Sequence, residues 1–275
     1  MSRPPVWRPH WTAYAAELLG TAALVFFGVG AVLADFVPGT PVARLLPDPT
    51  ARRYLTGMLF GGVGAAIAFG PVGRASGAHL NPAVSFAFWL AGSLGGADAA
   101  AYGAAQCVGG LLGALPLPAV WGPAGASLHY GATLPSPAAG QLAAAAGEAA
   151  ATFCFLAAVL WFVGHPRLRP WTPLLLPPMM AVIVGVEAPL SGASLNFARS
   201  LGPALLAHTG GSLWVYAVGP TAGATAAAMA AVRGDRVHVA KIGHPHRDPH
   251  GRFHGAATGG PAVVMRRRLG QAARP

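Results

Sequence analysis

Charge is what this sequence has least of. Only 9% of its 275 residues are Asp, Glu, Lys or Arg, while 54% are hydrophobic. Soluble domains carry roughly 25% charged residues. So few charges cannot cover a folded surface in water, which excludes a soluble globular protein. Cysteine is nearly missing as well: there are two, Cys107 and Cys154, which excludes a disulfide-stapled secreted scaffold. Both fall in apolar runs, where buried free thiols are expected. Glycine (38) and proline (26) are plentiful, but long apolar runs separate them, unlike the pattern of a disordered chain. The class that remains is a polytopic membrane protein. The net charge of +10 does not point to nucleic acid, because nine of the 18 Lys and Arg residues lie from Arg233 onward, in a terminal tail.

A spanning helix needs about 20 mostly apolar residues. The runs between charges, prolines and turn signals predict six spans, at about 12–34, 54–72, 98–116, 141–163, 172–188 and 212–232. Pro116, Pro118, Pro123 and Pro135 mark a loop near 116–140. Two apolar pieces are left over, Asn81 to Ala91 and Asn196 to Ala207. They are half a membrane long and read as re-entrant segments. Residues 1–16 carry Arg3, Arg8 and early prolines and do not read as a cleavable signal. Six spans put both termini on one side, together with Arg74, Arg167, Arg169 and the tail arginines. The positive-inside rule makes that side cytoplasmic in a cell-membrane protein. Arg44, Arg52 and Arg53 fall on the other side, against the rule.

The sequence repeats itself. Ser76-Gly77-Ala78-His79-Leu80-Asn81-Pro82-Ala83-Val84-Ser85 and Ser191-Gly192-Ala193-Ser194-Leu195-Asn196-Phe197-Ala198-Arg199-Ser200 agree at seven of ten positions. Each leads into one of the half-length segments. Glu17-x-x-x-Thr21 in span one is matched by Glu148-x-x-x-Thr152 in span four. Three spans separate the copies, so the second is inserted upside down. Inverted repeats with interrupted helices are how many transport proteins build a site at the bilayer midplane.

Asn is a good N-cap and Pro is favoured just after it, so Asn81-Pro82 starts a helix. Two such helices of opposite insertion meet end to end in mid-membrane, and each N-terminus carries roughly half a positive charge. A cation placed there meets a barrier, whereas a neutral molecule can accept hydrogen bonds from the Asn amides. Irregular backbone at that depth is tolerated where it lines a cavity. These features describe a pore for uncharged solutes.

The residues just quoted, with Ala16-Glu17-Leu18-Leu19-Gly20-Thr21, Ala105-Gln106-Cys107-Val108-Gly109-Gly110 and Trp214-Val215-Tyr216-Ala217-Val218-Gly219-Pro220, resemble the aquaporin and glycerol-channel family, the major intrinsic proteins. The resemblance covers roughly residues 12–232. It implies an all-α membrane fold of six transmembrane helices and two re-entrant half-helices. It also implies a homotetramer with one pore per subunit, passive conduction, and no enzyme activity, cofactor or metal. The pore-helix caps would be Asn81, Pro82 and Ala83 in one half and Asn196, Phe197 and Ala198 in the other. Phe197 departs from the family's Asn-Pro-Ala-Arg; it is expected to pack against Pro82, away from the conducting path. A ring inside the lumen would instead make a non-conducting scaffold. The family's four-residue filter falls on Gly61, Val184, Ala193 and Arg199, with Gly62 and Phe60 as one-residue alternatives to Gly61. A filter this small and apolar implies passage of water with glycerol, urea or undissociated metalloid acids; a strict water channel is the alternative. Glu17 and Glu148 would brace the signature loops from behind, with His79 beside them.

The domains expected are a short cytoplasmic N-terminus (1–11), a channel domain (12–232, inverted halves about 12–116 and 141–232) and a basic, His-rich, disordered tail (233–275). His246, His250 and His254 have metal-like spacing, but Pro245, Pro249 and Gly251 break the helix it needs. The tail reads as a segment drawn to anionic lipid headgroups. A serine-protease reading of Ser194 with His79 lacks an acidic partner, and the repeat already accounts for both residues.

Overall fold

The computed structural model describes residues 9–233 and 240–244, together with position 261. Six long helices are α1 (Trp11–Phe36), α3 (Pro49–Phe69), α6 (Gly96–Ala114), α8 (Gly140–Gly164), α9 (Thr172–Ser191) and α11 (Leu213–Arg233). Two half-length helices are α5 (Pro82–Leu90) and α10 (Phe197–Leu206). Three short ones, α2 (Pro41–Leu45), α4 (Pro71–Ala75) and α7 (Leu117–Ala126), lie in the connections. All six expected spans and both half-helices are present. The stretch near 116–140 is less loop-like than its prolines suggest, because Leu117–Ala126 winds into a short helix, broken at Gly122 with φ 49°.

The packing repeats as the sequence does. α1 packs on α3 and α6, and α8 packs on α9 and α11. Each half-helix crosses to the opposite repeat: α5 packs on α11 and α10 on α6, while α3 and α9 meet across the pseudo-twofold. Small residues permit these approaches, as they do between membrane helices generally. A Cβ at Gly109 or Gly113 would lie 2.3 Å from the Leu18 or Ala22 carbonyl oxygen of α1. In the other half, Gly219 and Gly223 stand in the same way on Ala145 and Ala149 of α8. The two repeat threonines belong to these crossings, since Thr21 faces Gly109 and Thr152 faces Gly223. By length and composition, α1, α8 and the stretch Arg169–Ser191 that contains α9 are apolar enough to cross a membrane, as are α6 and α7 taken together across a 68° bend.

Two of the arginines on the side away from the termini, Arg52 and Arg53, have structural partners. Asp48 caps α3 by accepting the Thr50 and Ala51 N–H groups at 3.0 and 3.1 Å. Those two bonds hold its carboxyl below the usual aspartate range. Arg52 donates to the Asp35 carbonyl at the end of α1 (2.9 Å), and Arg53 to the Gly185 carbonyl of α9 (3.4 Å). They tie α3 to its neighbours, which gives their position a reason that a charge-counting rule does not see.

Of the tail, residues 240–244 are seen returning to the bundle. Ala240, Lys241 and Ile242 are buried, so this part of the tail is packed, where the sequence suggested disorder. His238, His246, His250 and His254, like Arg3 and Arg8, lie outside the described residues.

Candidate functional site

The two signature loops share one backbone plan. In the first, Gly77, Ala78 and Leu80 have φ of 94°, 53° and 52°; in the second, Gly192, Ala193 and Leu195 have 90°, 50° and 55°. Glycine adopts such values freely, but Ala and Leu pay about 1–2 kcal/mol each, so the loops need external support. Glu17 supplies it in the first: its carboxylate accepts the His79 N–H (2.9 Å) and the Leu80 N–H (2.7 Å). Glu148 supplies it in the second, accepting the Ser194 N–H and the Leu195 N–H, both at 2.7 Å. Further donors complete each carboxylate: Gln106 Nε2 to Glu17 at 2.7 Å, and Ser191 Oγ to Glu148 at 2.6 Å. Both acids are fully buried. A tyrosine of the third helix of each repeat holds the start of the loop. Tyr102 donates to the Ser76 carbonyl (2.9 Å) and Tyr216 to the Ser191 carbonyl (2.6 Å).

Beyond the loops, Asn81 caps α5 through the Ala83 N–H (2.9 Å). Asn196 caps α10 through the N–H groups of Ala198 (3.0 Å) and Arg199 (3.3 Å). The same side chains join the two halves: Asn81 Nδ2 donates to the Leu195 carbonyl and Asn196 Nδ2 to the Leu80 carbonyl, each at 2.8 Å. The N-termini of the half-helices are thereby fixed against each other. Pro82 follows its cap as expected, and Phe197 takes the same place on α10 without displacing the cap.

Two cavities lie next to each other and share the walls Phe60, Met180 and Ser194. The outer one, about 290 Å³, opens on the side away from the termini; Phe60, Val184, Ala193 and Arg199 are among the residues that line it. The inner one, about 70 Å³, is walled by Asn81, Asn196, His79, Val84, Leu24 and Ile242 among others. Phe60 borders both. Arg199 is 5% exposed, donates to the Gly131 carbonyl at 2.8 Å and has its guanidinium 5.8 Å from the Phe60 ring centre. Among the described residues no carboxylate lies within ion-pairing distance of it.

Three of the four expected filter residues, Val184, Ala193 and Arg199, thus share the outer cavity. Gly61 does not: it borders only the inner one, and a Cβ there would meet the Leu176 carbonyl of α9 at 2.5 Å. Gly57 faces the same helix one turn earlier, so this glycine face lets α3 approach α9. The side chain beside Arg199 is Phe60, the one-residue alternative. Phe197 borders neither cavity. It packs against Ala144, Val215 and Tyr216, and shares a separate pocket with Pro82.

Several participants carried no sequence signal. Gly131 reaches Arg199 because the connection after α7 folds back over the outer mouth. Thr133 bonds Ser200 Oγ at 2.7 Å. Glu187 hides both carboxylate oxygens from solvent near Gly147. The pairing of Tyr102 with Tyr216 could have been found by aligning α6 with α11 in the repeat.

The comparisons agree with this geometry. A family model described as "Major intrinsic protein" matches residues 6–231. The chain is 35% identical over 234 residues to the probable aquaporin AqpM of Archaeoglobus fulgidus, covering 78% of this chain and 93% of that protein. It is 33% identical over 217 residues to aquaporin NIP1-1 of Oryza sativa subsp. japonica, covering 78% and 71%. Among solved structures, the aquaglyceroporin from Plasmodium falciparum superposes with a TM-score of 0.66 over 82% of this chain and 96% of that one, at 20% identity. That last likeness is one of fold.

Proposed function

The chain belongs to the major intrinsic protein family, a family of multi-pass membrane channels, and we propose that it is a passive pore for water and small uncharged solutes such as glycerol, urea or neutral metalloid acids. The observation that carries this reading is the joined pair of half-helix caps lying below an arginine with no ion-pair partner among the described residues. Each Asn amide nitrogen uses one hydrogen to tie the loops together and keeps a second. Both Asn side chains border the inner cavity, so that second N–H serves a passing lone pair. A solute that accepts hydrogen bonds replaces its lost water there. A cation cannot: it meets two helix N-termini, each with roughly half a positive charge, and the full charge of Arg199. Protons are held off by the same field.

Phe60, Val184, Ala193 and Arg199 form the filter in this reading. Three apolar surfaces face one cationic donor, which suits a solute with a carbon edge and hydroxyls. Pore width and lining donors set selectivity. The ring of Phe60 beside Arg199 also favours a second reading, a strict water channel, since it narrows the opening that Gly61 would have left wide. A non-conducting scaffold gains nothing from Phe197, which borders neither cavity. In this reading both termini lie in the cytoplasm and the subunits assemble as homotetramers through exposed apolar helix faces. Those faces carry residues such as Leu19, Phe27, Val182 and Val218.

Stopped-flow light scattering on proteoliposomes tests the reading, using the full chain and a chain ending at Asp235. Uptake of water and of glycerol, urea or a metalloid acid well above empty vesicles supports the wide filter. Water alone supports the strict channel. No flux of any solute from either chain refutes the pore.

A further inference from the structure

We propose that the segment 240–244 is a built-in plug that closes the inner mouth of the pore; the proposal rests on the pore reading above. The segment lies along the first signature loop. Ile242 and Gly243 donate their N–H groups to the Gly77 carbonyl at 3.1 and 2.9 Å. Lys241 Nζ donates to the Arg74 carbonyl at 3.0 Å, and His244 Nε2 bonds the Phe69 carbonyl at 2.6 Å. The fit is tight on both sides. A Cβ at Gly243 would lie 2.1 Å from the Ala68 carbonyl oxygen, and one at Gly77 would lie 2.7 Å from the Lys241 side chain. Lys241 is 5% exposed and Ile242 is 2% exposed, values normally seen in a core. Ile242 thus forms part of the wall of the inner cavity together with Asn81 and His79, where a hydrated solute would leave.

A hydrogen-bond chain ties the plug to the loop brace. Gln106 Nε2 donates to both Glu17 and Ser85 Oγ, at 2.7 and 3.0 Å. Ser85 Oγ is 3.1 Å from His79 Nδ1, and His79 Nε2 is 2.8 Å from the Ala240 carbonyl. A carbonyl only accepts, so Nε2 carries the proton and Nδ1 accepts from Ser85. The tail therefore completes a polar network that begins at Glu17. In the second repeat a segment of the bundle takes the matching place: Ser194, at the position of His79, bonds Ser200 Oγ and the Asn196 carbonyl, Ser200 Oγ bonds Thr133, and a Cβ at Gly192 would meet Thr133 at 3.1 Å.

The test compares three chains in proteoliposomes at equal incorporation: the full chain, the chain ending at Asp235, and full-length Gly243→Val, whose side chain the Ala68 carbonyl cannot admit. Water flux is expected to rise about tenfold or more in both altered chains. In a parallel measurement Ile242→Cys, with Cys107→Ala and Cys154→Ala, reports docking through reaction with a membrane-impermeant thiol reagent. The thiol should be protected in the full chain and exposed once Gly243→Val is added. Equal flux in all three chains overturns the plug while leaving the pore reading standing. A thiol equally reactive with and without Gly243→Val overturns it as well. Absence of flux from every chain removes the pore reading, and with it anything for a plug to close.

Discussion

Replacing Glu148 by Gln should loosen the second signature loop, and the size of the effect follows from its hydrogen bonds. The loop holds Ala193 and Leu195 at φ 50° and 55°, a strain of about 2–4 kcal/mol for two non-glycine residues. Against it stand three bonds to one carboxylate, from Ser191 Oγ, Ser194 N–H and Leu195 N–H. Bonds to a charged acceptor contribute about 1.5–3 kcal/mol each, so the brace outweighs the strain. Gln keeps one acceptor oxygen. Its amide nitrogen must then face either Ser194 N–H or Leu195 N–H, donor against donor, which leaves a buried N–H unpaired at about 1–3 kcal/mol. The bonds that remain are neutral, at about 0.5–1.5 kcal/mol each, and no longer exceed the strain. Glu148→Gln should therefore lower the thermal midpoint of the detergent-solubilised protein, read by size-exclusion with fluorescence. It should also cut solute flux about tenfold or more as Arg199 and Asn196 lose their placement. Glu148→Ala should be worse, since both backbone donors then lack any partner. A Glu148→Gln protein with unchanged midpoint and flux would refute the reasoning, because the strained loop would then be holding itself.

Other substitutions probe the path itself. Arg199→Val should preserve neutral-solute flux and add a measurable proton or cation leak; equal proton conduction by the unaltered chain would remove the electrostatic barrier. Phe60→Ala should raise glycerol uptake about tenfold relative to water, and an unchanged ratio would take Phe60 out of the filter. Phe197→Pro should fold and conduct within about tenfold of the parent, because proline is favoured after the cap. Phe197→Ala should cost about 1–2 kcal/mol of stability, less than a fully buried ring, and a gain of flux from it would place the ring in the lumen after all.

The helices and the cap constellation were legible because both rest on local rules. Uncharged runs near membrane length fix the spans, and Asn before a helix is a cap wherever the chain puts it. Glu17 and Glu148 were legible because each opens the same Glu-x-x-x-Thr pattern in its own half of the repeat. Rotation about a helix axis was not legible. Gly61 and Phe60 differ by one residue, about 100° around α3, and only the close packing of α3 on α9 decides which faces the path. Gly131 was invisible because a carbonyl has no side-chain signature. The packing of Ala240, Lys241 and Ile242 was missed because composition reads a basic, Pro- and His-rich tail as solvated, and five docked residues do not alter that average.

The two halves differ where a symmetric pore would do nothing selective. Caps, braces, loop dihedrals and loop-holding tyrosines are duplicated, so they specify the scaffold of a midplane constriction and not its direction. Three of the ten repeat positions break the symmetry, and two of the pairs distinguish the two cavities. Val84 borders the inner cavity, while its counterpart Arg199 borders the outer one. This puts the charge barrier on a single side. His79 reaches out of its loop to the Ala240 carbonyl, whereas Ser194 is linked through Ser200 to Thr133, so among the described residues the tail meets the inner side. Pro82 and Phe197 differ away from the path, where packing tolerates either. Under the proposed pore, a solute entering from the outer side would be screened by charge and size first and would meet the tail segment last. An inverted repeat supplies two equivalent mouths at the outset; under the proposed pore and plug, these substitutions would assign one to selection and the other to closure.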